Sequence, residues 1–284
     1  MSAAASHSTG KTPTHAVQAT PARRLALLEG LYRRLNRPEM IDPDPLAIVR
    51  EFGDPRDREI VALIGSCLAY GNVVTIMASI RDVLGRMAGG PHRYLTKASP
   101  KRLHDDFADF RHRVTSGPEM AFLLQGAREA IAEHGSLGAA FEQGISADEP
   151  SLMPALERFV AILRRPHGGA AWHLLPSPAS GSACKRMNML LRWMVRRDAV
   201  DPGGWAEGMA PGLVMPVDTH MFHTARAMGL TQRKTADLKA ALEITEAFRR
   251  FRPDDPVRYD FALTRLGIRD ELTPDQFLDQ WRAD

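Results

Sequence analysis

Apolar residues recur along most of this chain at intervals of three and four, the period of a helix with one buried face. Leu25, Leu28, Leu31, Tyr32 and Leu35 predict an amphipathic helix over 23–35. Asp42-Pro43-Asp44-Pro45 reads as a turn that opens the next helix, since aspartate caps and proline fits the first turn. From Arg58 to Tyr70 the apolar positions Ile60, Val61, Leu63, Ile64, Cys67 and Leu68 run nearly all round, so this helix is expected at the centre of the fold. Past Ala69-Tyr70-Gly71-Asn72, further helices are predicted over 73–87, 118–134 and 153–165, from Lys185, from Asp218, over 235–251, from Asp255-Pro256 to near Gly267, and from Thr273-Pro274 to Trp281. No segment alternates with period two, and no repeat or interdomain linker stands out. The pattern predicts an all-α fold, a two-lobed helical bundle around a cleft. Residues 1–20 have no acid and no apolar period and are expected to be a disordered tail, leaving 21–284 as one domain.

At 284 residues and 44% apolar, the chain can bury a sizeable core. Its net charge of +3 does not announce a nucleic-acid binder. The distribution says more. Between Gly181 and Asp198 five basic residues, Lys185, Arg186, Arg192, Arg196 and Arg197, stand against the single acid Asp198, a cluster able to meet phosphates or simply to be solvated. The two cysteines, Cys67 and Cys184, have no partners at metal-ligand spacing. A disulfide framework, a zinc finger and an iron–sulfur cluster are therefore not expected, and no metal or cofactor is implied. No apolar run approaches membrane-spanning length and no signal-peptide core is present, so the chain reads as cytoplasmic and monomeric.

The chemistry concentrates between Gly181 and Leu230. Lys185 opens a helix whose buried face is Met187, Leu190, Leu191, Met194 and Val195. Lys185 lies opposite that face with Met189, Arg192 and Arg196, and Trp193 borders them. A cation at a helix start opposes the helix dipole, which favours a neutral amine or a ligand anion there. Asp218 opens a second helix, built on Met221, Phe222, Ala225 and Met228, and suits an ionised cap. Each residue alone has an ordinary account, a solvated lysine and a plain N-cap.

Together the two residues resemble the active site of the helix-hairpin-helix DNA glycosylase superfamily, which includes endonuclease III. Val217-Asp218-Thr219-His220 is similar to that family's Val-Asp-Thr-His segment, and Lys185 follows a Gly-containing turn. Their separation of 33 residues (218 − 185) is nearest the archaeal 8-oxoguanine DNA glycosylase branch. The run from Lys185 to Arg196, followed by Pro216 to His220, also resembles an uncharacterised bacterial family distantly related to these enzymes, over about 110–267. The chain departs from the pattern in two ways. It lacks the four-cysteine cluster of endonuclease III. A Pro-, Gly- and Ser-rich connection from Pro166 to Cys184 also replaces the short hairpin, so the motif is atypical.

The resemblance implies removal of a damaged base, with an oxidised purine among the candidates, from duplex or single-stranded DNA, and nucleoid association. Lys185 would attack sugar C1′, form a Schiff base and permit strand cleavage, while Asp218 would stabilise positive charge on the sugar. Gly181, Ser182, Arg186, Arg192, Arg196 and His220 would hold DNA. Tyr70 or Asn72, at the helix junction, and Trp193 would line the base pocket or fill the vacated gap, with Trp172 and Trp205 as further wall candidates. Their ordinary accounts are a helix end with left-handed Gly71, and core tryptophans. Phe110-Arg111-His112-Arg113 could touch the backbone or form a surface loop. Two alternatives stand beside this: a non-catalytic nucleic-acid-binding module of the same fold, and a metal-dependent phosphohydrolase using Asp218, His220 and His223, with His104-Asp105.

Overall fold

A computed structural model describes residues 20–170, 172–266 and 273–283. The expected tail lies outside them except for Thr20, and so does Gly267. Among the described residues the chain is all-α, with fourteen α-helices and one two-stranded hairpin. The first half holds α1 (Pro21–Leu35), α2 (Pro45–Arg50), α3 (Pro55–Leu68), α4 (Val73–Gly85), α5 (Pro91–Lys97), α6 (Pro100–Asp106) and α7 (Gly117–His134). After it come α8 (Leu137–Glu142), α9 (Met153–Leu163), α10 (Lys185–Val195), α11 (Thr219–Ala227), α12 (Leu238–Arg249), α13 (Asp260–Arg265) and α14 (Pro274–Arg282). The helices start where local chemistry dictates. Thr20, Asp44, Asp54, Asn72, Ser99, Ser136, Asp218, Asp237 and Thr273 each accept a backbone N–H of the first turn, satisfying donors that have no partner within the helix.

The apolar all-round helix α3 is the centre: every residue from Glu59 to Leu68 is buried. It packs against α2, α4, α5 and α10, while α7 packs against α5, α6, α8 and α9. At the α7–α9 crossing the backbones nearly touch. A Cβ on Gly126 would stand 2.1 Å from the Leu163 carbonyl oxygen, so only glycine fits. A second group forms elsewhere: α1 packs on α13 and α14, and α11 on α13. The cleft described below is lined by residues of both groups.

The structure differs from the sequence pattern at several places. Helices α5, α6 and α8 are only six or seven residues long, too short to show a period. The stretch around Phe110 is a hairpin rather than a loop: β1 (Arg111–His112) pairs antiparallel with β2 (Thr115–Ser116), turning through Arg113 at φ 53°. Helix α13 starts at Asp260, not Asp255, because the Asp255 carboxylate is taken by Arg196 Nε at 3.0 Å. Among its described residues, the long connection before α10 holds two 3₁₀ turns, Arg165–His167 and Pro178–Ser180. Arg164 Nε donates to the Leu175 carbonyl at 2.9 Å, and the Ser177 hydroxyl donates to Glu157 at 2.7 Å. Among the described residues no helix is long and apolar enough to cross a membrane.

Candidate active site

The approach to α10 is fixed from two sides. Gly181, at φ 77°, offers its carbonyl to the N–H of Leu238 at 2.9 Å, and Ser182 bridges to Asp237, so the turn is tied to the start of α12. Ser182 Oγ then accepts the Cys184 N–H at 3.2 Å. Cys184 itself is buried in the left-handed conformation (φ 47°). Burial pushes its thiol up to about 11, which makes it packing rather than a nucleophile. Helix α10 therefore opens on Lys185 with no side-chain cap. Across the cleft, Asp218 caps α11, its Oδ1 accepting the Met221 N–H at 2.8 Å. Its other oxygen, Oδ2, stands 3.7 Å from Lys185 Nζ, with both side chains half-buried.

Lys185 and Asp218 border a cleft of about 1130 Å³. Tyr70 and Gly71 come to it from the α3–α4 junction, Trp193 from α10, His220 from α11, and Asp260 and Arg265 from α13. Gly181, Ser182, Arg186 and Arg192 also reach it. An amine, a carboxylate and two aromatic side chains on one concave surface form a set that could hold a planar ring beside a nucleophile.

The expected site residues divide. Tyr70 lines the cleft but is not a free wedge: its hydroxyl donates to the His112 carbonyl at 3.0 Å and shares a 2.5 Å hydrogen bond with Thr115 Oγ1. Asn72 caps α4 through Val74 N at 2.9 Å and does not line the cleft. Trp193 is buried at the cleft, and its Nε1 has no hydrogen-bond partner among the described residues. Trp172 and Trp205 belong to the core instead, bonding Glu119 at 3.2 Å and Glu59 at 3.1 Å. Arg186 lines the cleft with its guanidinium engaged: Nη1 donates to the Cys67 carbonyl at 2.5 Å, Nη2 to that of His173, and the group lies 5.1 Å from the Tyr70 ring centre.

Arg192 and Arg196 require correction. Neither belongs to a solvated basic face; each is only 4% exposed. Arg192 pairs with Asp260 at 2.5 Å and with Asp201 at 3.2 Å. Arg196 pairs with Asp201, with Asp198 at 2.9 Å and with Asp255 at 3.0 Å. Burial works against charge on both, and the carboxylates more than offset it, so both stay protonated. Guanidinium groups spent in this way cannot also hold backbone phosphates.

The metal alternative finds no ligand set. His220 and His223 are exposed, His104 packs edge-on against Phe122, and among the described residues no group of three or more His, Cys, Asp or Glu side chains is arranged to hold a metal ion.

Sequence reasoning passed over Asp260 and the Arg265–Asp44 pair, joined at 2.7 Å beside the cleft. Asp260 is 1% exposed and next to Phe261-Ala262-Leu263. A lone acid adjoining such an apolar run was the available signal. Burial raises its carboxyl above the ordinary range against the pull of Arg192; Asp218 raises it further and Lys185 opposes.

Residues 44–269 match a family described as "Protein of unknown function (DUF2400)". No curated protein and no solved structure matches the chain.

Proposed function

The chain belongs to the DUF2400 family, and we propose that it is a DNA base-excision glycosylase with associated abasic-site lyase chemistry. The observation that carries this is the 3.7 Å approach of Lys185 Nζ to Asp218 Oδ2, two residues from different helix starts that meet in a cleft of about 1130 Å³. Breaking the bond between C1′ and a base nitrogen puts positive charge on the sugar. An ionised Asp218 opposes that charge where it develops, and preorganised groups of this kind are worth on the order of 10²–10³ in rate. Lys185 attacks C1′ through its amine nitrogen, and Asp218 stays near enough to accept the proton that the nitrogen sheds once the bond has formed. The target base has to leave the stack to reach them. Tyr70 and Trp193 give the cleft the aromatic lining such a base needs.

DNA binding falls to groups other than Arg192 and Arg196. The Gly181–Ser182 turn and the exposed His220 line the cleft as an atypical counterpart of the hairpin, and the exposed Arg113 lies beside its Gly71. Arg113 extends alongside Gly71, where its Cδ would be 2.7 Å from a Cβ.

Borohydride trapping tests the reading. An imine between Lys185 and the sugar is reduced to a stable amine, which links protein and oligonucleotide covalently. The crosslink should form on a base-containing lesion with the wild type, Lys234→Gln and Lys239→Gln, and disappear with Lys185→Gln. An undiminished crosslink in Lys185→Gln removes the assignment. Salt-sensitive DNA binding with no base release by the wild type makes the protein a binding module instead.

A further inference from the structure

Two carboxyl groups and two guanidinium groups are buried together beside the cleft, Asp201 and Asp260 with Arg192 and Arg196, and the part-exposed Asp198 and Asp255 join them through Arg196. Fully ionised, the six groups carry two excess negative charges; Asp198 and Asp255 can share theirs with solvent, whereas Asp201 and Asp260 are enclosed in a low-dielectric interior. A proton on one carboxyl relieves half of that excess, and the hydrogen bonds decide where it sits.

Asp198 Oδ1 accepts the N–H groups of Val200 at 2.7 Å and Asp201 at 2.8 Å, and its Oδ2 accepts from Tyr32 and Arg196, each at 2.9 Å. Asp201 Oδ1 accepts from Arg192 at 3.2 Å and its Oδ2 from Arg196. Both oxygens of Asp255 accept from Arg196, at 3.0 and 3.1 Å. Asp260 Oδ2 accepts from Arg192 Nη1 at 2.5 Å, and Asp260 Oδ1 has no partner among the described residues. Each of the other seven oxygens already accepts at least one donor, so Asp260 Oδ1 is the one place where a proton competes with none. Asp260 also lines the cleft that holds Lys185 and Asp218.

We propose that Asp260 is a second catalytic carboxyl of this site, a neutral acid that donates its proton to the base as the base leaves; this rests on the glycosylase reading. In the step, the Lys185 nitrogen forms a bond to C1′ while the bond from C1′ to the base nitrogen breaks. The bonding pair goes to the base, which takes the Asp260 proton and departs neutral. Asp260 is left as a carboxylate already hydrogen-bonded to Arg192. The surplus proton on the substituted amine passes to Asp218. Nothing is oxidised or reduced. The charged groups around Asp260 are Lys185 and Arg192 from α10, Asp201 from the loop after it, Asp218 at the start of α11, and Arg265 on α13, which turns to Asp44.

The test compares full-length wild type, Asp260→Asn and Lys185→Gln. Asparagine keeps an oxygen for Arg192 but has no transferable proton. The first probe is a duplex with an abasic site, where no base has to leave. The second is a set of duplexes carrying uracil, hypoxanthine or 8-oxoguanine, with their single-stranded forms. Asp260→Asn should trap on the abasic duplex within about twofold of wild type yet release base at least about a hundredfold more slowly, the usual scale of general-acid catalysis. Infrared spectra of wild type with carbon-13-labelled aspartate should show a protonated aspartate carboxyl at neutral pH that Asp260→Asn lacks. Base release by Asp260→Asn at the wild-type rate overturns the proposal and leaves the role of Lys185 standing. Absence of any protonated aspartate in the wild type also overturns it, and that measurement holds even if the variant does not fold. Persistent trapping by Lys185→Gln fails the glycosylase reading itself, and a wild type that releases no base from any duplex removes both.

Discussion

Asp218 serves two groups at once: Oδ1 accepts the Met221 backbone N–H at 2.8 Å, and Oδ2 stands 3.7 Å from Lys185 Nζ. One carboxylate thus begins a helix and faces an amine. Asparagine separates the two roles, since its carbonyl oxygen caps as well as a carboxylate while the charge is gone. Asp218→Asn should unfold in urea close to wild type and bind DNA normally, yet lose about 10²–10³ in base release. Wild-type excision by this variant would reduce Asp218 to a cap.

Arg192 makes the opposite prediction, a structural one. Its removal leaves Asp201 and Asp260 buried beside a missing charge. Breaking a buried pair in this way costs about 3–5 kcal/mol. Arg192→Gln should show that loss in urea unfolding. An unchanged unfolding midpoint together with weaker DNA binding would return Arg192 to the surface.

Salt dependence should trace to the β1–β2 hairpin. Arg111 and Arg113 are exposed, and Arg113 borders Gly71 at the cleft. For duplex DNA, each phosphate that the protein ceases to neutralise flattens the log–log salt dependence of binding by ~0.9. Arg111→Ala with Arg113→Ala should therefore reduce the slope by up to about two such increments. An unchanged slope would place the DNA elsewhere.

At the far side of the cleft Asp237 accepts from Arg233, from Thr235 and from the Ala240 N–H. Chiefly through Arg233, its carboxyl is lowered from 3.8 to about 2. A lowered acid stabilises the fold above its unfolded value and loses that contribution as pH falls through its folded one. The window here is acidic, from 3.8 down to about 2. Carboxyl NMR should find Asp237 titrating near the lower limit, and Arg233→Ala should return it toward the ordinary range. Titration of Asp237 near 3.8 in wild type would deny the pairing with Arg233.

Gly126 tests the packing of α7 on α9. The added methyl of Gly126→Ala would meet the Leu163 carbonyl oxygen at 2.1 Å. Forcing the helices apart should cost about 1–3 kcal/mol in urea unfolding. A neutral result would mean that the two backbones separate there without strain.

Much of this was legible in the sequence, for identifiable reasons. The all-round apolar run of α3, the Asp44 and Thr273 caps and the start of α10 at Lys185 are local signals, and the structure has them where expected. Lys185 and Asp218 could be paired because their two segments together resemble the glycosylase active site, whereas each helix start alone has an ordinary account. Arg192 and Arg196 could not be placed. A helical wheel shows that they share a side, but not that Asp201, Asp255 and Asp260 cover it, and two of those partners lie 59 and 68 residues away along the chain. Asp260 escaped for the same reason, since its importance lies in one oxygen left over after Arg192 is satisfied. Helices α5, α6 and α8 did have signals, in Gly90-Pro91, Ser99-Pro100 and Ser136, that periodicity alone does not register.

The packing of α1 on α13 and α14 sets an order of assembly during synthesis. While the ribosome adds residues 36 to 259, α1 has an amphipathic surface and lacks the helices that cover it. The helices around α3 and α7 can meanwhile collapse on their own, since their partners all lie before residue 196. Lys185 is then already mounted on α10, but Asp260 and the cover for α1 arrive together, only after α10, α11 and α12. The cleft consequently becomes complete late, and α1 is the segment most exposed to chaperones and proteases until then.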